Sequence, residues 1–301
     1  MRRLCAFLCF VAIALGATLS TPARSGEFDY LTVGLRVAAL IAQSRIASPP
    51  LPELGRDKKH HFTPQVAYLT GRIFGDFGKS QGVITDASYT GEPEGWGYGL
   101  AYQSPTVGRL SLFAYGLYTH SSSNYAVTFN SPNSPDLKID NSRTQAKAMG
   151  TGLSLLVVGD TDSFFAAGAF GGGFYSDVNT KYDYVYASPP LPGYDTTYFH
   201  NWTSKDHGIT TGLQAKIRVK KFSITALAVY TRDLSGQCIP EADAAGNYYP
   251  CNASIDNSFT AYSVSVGYRG LSVGLFSRLN SEIEASDVKL RKLQASYTLS
   301  L

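Results

Sequence analysis

Residues 288–301 run VKLRKLQASYTLSL. From Leu293 onward every second residue is apolar: Leu293, Ala295, Tyr297, Leu299 and Leu301, with Gln294, Ser296, Thr298 and Ser300 between them. A strand turns successive side chains to opposite faces, so this segment has one apolar and one polar face. The sequence ends inside the strand. A strand in that position must pair on both sides or remain an exposed edge, and a closed barrel removes the edge. In lipid the demand is stricter, because no water satisfies loose backbone groups.

Upstream the same two-residue rhythm recurs. Ile209, Thr211, Leu213, Ala215, Ile217 and Val219 oppose Gly208, Thr210, Gly212, Gln214, Lys216 and Arg218. Tyr262, Val264, Val266 and Tyr268 oppose Ser263, Ser265 and Gly267. Similar strands are expected near residues 28–41, 62–74, 82–90, 96–103, 109–120, 144–158, 163–175, 222–231 and 271–279. Short turns (105–108, 159–162, 220–221, 269–270) alternate with long polar loops (121–143, 176–205, 234–257, 280–287). The expected fold is all-β: an antiparallel up-and-down transmembrane barrel of about 12 strands. Tilted membrane strands need roughly 9–11 residues, and membrane barrels segregate short turns from long loops in this way.

The alternation at residues 293–301 resembles the C-terminal assembly strand of Gram-negative outer-membrane β-barrels, with Leu301 standing where that family usually ends in an aromatic residue. The resemblance implies residence in the bacterial outer membrane among lipid and lipopolysaccharide. It also implies handling by the barrel-assembly machinery through residues 293–301. The barrel size is further similar to autotransporter translocating domains, although nothing before Phe28 reads as a passenger.

The start of the chain fits export. Arg2 and Arg3 precede an apolar run over residues 4–17, and small residues follow, with cleavage expected after Ala23 and Ala17 as a second candidate site. The run is too short to span a bilayer as a helix. The expected domains are a signal peptide over 1–23 and a barrel over 24–301. Cleavage removes two of the 26 basic residues and none of the 23 acidic ones, which leaves a nearly neutral chain and argues against a nucleic-acid partner. The 29 Gly and 20 Tyr, against only two Met, suit a barrel better than a soluble α/β enzyme. Cys238 and Cys251 remain after export and are expected to form a disulfide worth about 3 kcal/mol, free or metal-bound thiols being the alternative.

Function is sought first in the lumen. Arg36, Lys216, Arg218, Arg278 and Lys292 are expected to line it, against few carboxylates such as Asp86. Such bases either set the ion preference of a narrow channel or pair with acids and fill the barrel. In the loop 181–202, Tyr184, Tyr186, Tyr194 and Trp202 are either contacts for a flat ligand such as a sugar or interface-girdle aromatics.

His120 and Ser122 resemble the His-x-Ser arrangement of outer-membrane phospholipases and lipid A deacylases, which implies hydrolysis of lipid. Ser-rich loop material is the plainer account. His60-His61 beside Lys58-Lys59 reads as solvated loop, with metal or lipopolysaccharide binding as the other option. Phe170-Gly171-Gly172-Gly173 lacks the Lys-Ser/Thr of a phosphate loop, so its glycines serve bends or close approach. No cofactor is called for. The leading expectation is a passive, porin-like channel for small solutes. The alternatives are a non-conducting barrel that binds through its external loops, and a lipid hydrolase.

Overall fold

A computed structural model describes residues 53–77, 87–129, 136–181, 184–188, 201–240, 258–281 and 286–301. They form β1 (His61–Phe77), β2 (Ala87–Gly91), β3 (Glu94–Gln103), β4 (Leu110–Phe129), β5 (Asp136–Val158), β6 (Phe165–Lys181) and β7 (Tyr184–Ser188). The chain continues as β8 (Asn201–Val219), β9 (Phe222–Pro240), β10 (Ser258–Tyr268), β11 (Leu271–Ser281), β12 (Ser286–Tyr297) and β13 (Leu299–Ser300). All thirteen belong to one antiparallel sheet. The sheet closes on itself, because β1 pairs with both β3 and β12, and β4 pairs with both β3 and β5.

Three pairs of these strands are single staves with a break. β2 and β3 both lie between β1 and β4, interrupted at Glu92-Pro93, where proline has no N–H to give the ladder. β6 and β7 lie successively along β5, and β12 and β13 along β1. The barrel therefore has ten staves, not about twelve. The strands expected at 82–90 and 96–103 are one stave. The strand expected at 28–41 lies outside the described residues, and the ring closes without it.

The strands also run further than their hydrophobic pattern. β4, β5, β8 and β9 are 20, 23, 19 and 19 residues long, whereas β10 and β11 have 11 each. The loops expected at 121–143, 176–205 and 234–257 are thus largely strand at their ends. There the polar alternation of a solvated sheet carries no apolar stripe to betray it. At the opposite end the connections are tight. Arg269 and Gly270 both have positive φ (49° and 89°), the conformation of a two-residue turn whose twist matches its flanking strands.

The outer face is apolar near the short turns. Trp96, Tyr98 and Leu100 on β3 are 54–57% exposed, and Leu112, Leu153, Val264, Leu275 and Leu293 exceed half. On β4 this band ends beyond Tyr118, where His120 and Ser122 follow on the outer face. On other staves Lys147 and Arg143 of β5, His207 of β8 and Arg291 of β12 are likewise exposed. A surface that is greasy for about ten residues and then charged is what a strand crossing a bilayer needs.

Candidate functional site

Inward-facing residues fill the lumen in two ways. Along β4, β5 and β6 the fill is aromatic and aliphatic. Phe113, Tyr115, Leu117, Ala146, Ala148, Phe170, Phe174, Val178, Leu227 and Val229 form one buried cluster. Its members sit on β4, β5, β6 and β9. In a ring of ten staves β4 and β9 lie nearly opposite, so the cluster bridges the lumen from wall to wall. Phe113 meets Phe170 edge-on at 6.0 Å.

Glycines make room for these rings. Phe113 and Tyr115 lie directly across the ladder from Gly152 and Gly150, and Phe170 and Phe174 from Gly212 and Gly208. A Cβ at Gly150 would stand 2.5 Å from the Tyr115 ring. Such an approach requires glycine, because any side chain would overlap the ring. The same holds for Gly172, whose missing Cβ would meet the backbone of β5. The glycines of residues 171–173 are wall residues of β6.

Nearer the short turns, residues 53–60 fold into the barrel mouth as a strap. Leu54 is buried against Leu156 and Ala166. The Gln103 side-chain amide takes both backbone groups of Glu53, accepting from its N–H at 2.6 Å and donating to its carbonyl at 3.0 Å. Thr106 donates its N–H to Asp57 O at 2.7 Å and its hydroxyl to Gly55 O at 3.0 Å. Asp160, in the β5–β6 turn, accepts from the Arg56 N–H at 2.9 Å. The N–H groups of Thr161 and Arg56 hold its carboxyl below the ordinary value. At the far end His60 and Leu301 exchange two backbone bonds, which ties the strap to the end of the sheet.

The expected lumen bases meet this strap. Lys216 and Arg218 face inward on β8. Lys216 Nζ lies 2.6 Å from Glu53 Oε2, and Arg218 donates to the carbonyls of Leu54 and Asp160. Burial pushes the Glu53 carboxyl up, but Lys216, with Arg218 and His61, reverses this and leaves it below its usual value. Lys292 also faces inward on β12; it is 5% exposed, and its ammonium lies 5.0 Å from the Phe276 ring centre. Arg278 lies in β11, and Arg36 and Asp86 fall outside the described residues. Sequence reasoning missed the strap: a lone Glu53 beside Pro52 gives no periodic signal.

The remaining candidates are scattered. His120 and Ser122 are both exposed on the outer face of β4, while Ser121 and Ser123 point inward. His60 stacks on Tyr102, and its Nδ1 lies 2.8 Å from the Tyr102 hydroxyl. His61 is buried, 3.0 Å from the Ser300 hydroxyl and 3.3 Å from Asp57. No cluster of three metal-ligating side chains occurs among the described residues.

The expected aromatic loop is strand at both ends. Tyr184 and Tyr186 lie in β7 opposite Asp140 and Lys138, and Trp202 lies in β8 between Thr180 and Pro240. Cys238 belongs to β9. Tyr194 and Cys251 lie outside the described residues, as does the expected signal peptide.

The outer membrane protease OmpT from Escherichia coli aligns over 84% of this chain and 100% of its own, with a TM-score of 0.54 at 11% identity. The fold is that of an outer-membrane β-barrel. The transport unit of the autotransporter AIDA-I from Escherichia coli covers 87% of this chain and 97% of its own (TM-score 0.44, 11% identity). The outer membrane protein OprG from Pseudomonas aeruginosa covers 82% and 99% (TM-score 0.41, 10% identity). No protein-family model matches the chain, and no curated protein matches it.

Proposed function

We propose that this chain is an exported outer-membrane barrel with a closed lumen, acting through the strand ends that rise beyond its apolar band. One observation carries the reading: a buried cluster continuous from β4 across to β9. A porin-like path would need that space to hold water, but it holds Phe113, Tyr115, Phe170 and Phe174. Below it, the strap occupies one side of the mouth and engages two of the inward bases, Lys216 and Arg218.

The height of the wall supports the same view. Crossing takes roughly 9–11 residues, so β4, β5, β8 and β9 carry about ten residues more than the bilayer needs. At about 3.3 Å per residue, that is roughly 30 Å of solvated strand. The ring aromatics of β7 and β8 stand in this part, which makes it the place for ligand or partner contact. Lipid and lipopolysaccharide would contact the band, and β12–β13 would be the segment handed to the assembly machinery.

The test is conductance of the refolded protein in a planar bilayer under a salt gradient. A folded, heat-modifiable barrel that gives no discrete steps is the expected result. Steady unitary steps would favour the passive channel instead.

A further inference from the structure

The strap fills only one side of the mouth. Beside it lies a cavity of about 330 Å³, within the range of small-ligand sites. Its walls come from the strap, β1, β3 and β8–β12, and the inward residues of the last five strands include several hydroxyls and an amide beside Leu227 and Phe276. Gln214, Thr225 and Ser265 are each 5–7% exposed, and Ser263, Ser272 and Ser296 join them. Three polar atoms of the lining, Gln214 Oε1, Thr161 Oγ1 and His61 Nε2, are buried with no hydrogen bond among the described residues. An unfilled buried acceptor is costly unless something donates to it.

Charge is distributed unevenly along the cavity. Its inner bases, Lys216 and Arg218, are held by Glu53 and by backbone carbonyls. Its lip carries Lys220, Lys221 and Arg269, all on short hairpin turns, and Asp57 is the only other acid in the lining. A ligand suited to this site has a hydroxyl-rich body for the neutral interior and anionic groups for the lip. Six residues of β8 separate Gln214 from Lys220, roughly 20 Å along the strand, so the ligand is longer than a single sugar ring.

We propose that this cavity binds a short acidic glycan of two or three units, entering from the short-turn side. The proposal rests on the closed-lumen reading, since the aromatic cluster makes the cavity a blind pocket. The two fail separately: the closed lumen is read by conductance, the pocket by binding.

The experiment is calorimetric titration of the folded full-length barrel with three probes: trigalacturonate, the N-acetylglucosamine–N-acetylmuramic acid disaccharide, and neutral maltotriose. The first two carry their carboxylate on the ring and on an ether side chain, which distinguishes the two sources of acidic sugar. One-to-one binding of at least one acidic probe, about tenfold tighter than maltotriose, is expected. Lys221→Gln with Arg269→Gln, both on exposed turns, should weaken the acidic probe about tenfold and leave any maltotriose binding unchanged. Gln214→Leu should weaken the acidic probe, and the turn variant keeps the test valid if Gln214→Leu does not fold. No saturable binding of either acidic probe up to about 10 mM would overturn the proposal. So would equal affinity for maltotriose, or indifference to the turn substitutions.

Discussion

Two walls of this barrel share an outer face and differ inside. On β4–β6, Leu112 and Leu153 point outward, more than half exposed, and on β10–β11 Val264 and Leu275 do the same. Inward, the first wall presents Phe113, Tyr115, Phe170 and Phe174, seated over glycines. The second presents Ser263, Ser265, Gly267, Ser272 and Gly274 beside a single ring, Phe276, and borders the cavity. The outer faces agree because both meet the same surroundings. The inner faces are free to differ, and they decide whether the barrel is a tube or a solid. Exterior alternation therefore makes a barrel, while the choice between open and closed lies in the other half of the residues.

That contrast can be broken most directly at Phe113. Replacing it by Ala removes a ring from the centre of the cluster and should cost about 4 kcal/mol in denaturant unfolding, whereas Ser265→Ala on the other wall should shift stability by less than about 1 kcal/mol. Equal effects would mean that the cluster does not hold the walls together.

Gly150→Val probes the same packing from the opposite side. Its Cβ would press on the Tyr115 ring, and a loss of about 3 kcal/mol is expected, seen as a lower midpoint of unfolding in micelles.

Smaller still is the expected effect of Glu53→Gln, which leaves Lys216 partly buried without its partner and should cost about 2 kcal/mol. The Glu53 carboxyl is held below its ordinary value. Its stabilisation is therefore complete above about pH 4.5 and is lost as pH falls through the lowered value. The wild type should lose this increment in acid, and the Gln variant should show a flatter profile there. Identical acid profiles would remove Glu53 from the account of strap stability.

Much of the fold was legible because its governing signal is local. Leu293, Tyr297, Leu299 and Leu301 stand on the outer face, and Lys292, Gln294 and Ser296 stand toward the lumen, as alternation requires. The stave count was less legible. Glu92-Pro93 reads as a turn between two strands, yet the chain passes through it and keeps the same neighbours on both sides. The strand extensions beyond residues 121 and 234 were hidden, since solvated sheet needs no apolar stripe. The site was hardest to see. Lys216 and Arg218 could be assigned to the lumen by parity alone. Their partners lie 163 and 164 residues away in sequence, and parity says nothing about what reaches them. Nor does it show that Phe113 and Leu227 belong to one cluster, because that depends on the curvature of a closed ring.

The seam between β1 and β12 has a consequence for how the molecule forms. Every other junction in the ring joins strands that follow closely along the chain, whereas this one brings together residues such as Thr63 and Thr298, 235 positions apart. Bringing such distant ends together carries the largest loop-closure entropy in the molecule, and contacts of this range slow folding. The hairpins can form early and independently, but until the last strand docks, two open edges persist. Closure of the seam is therefore the step expected last, and refolding should be slowest for variants that weaken the β1–β12 pairing.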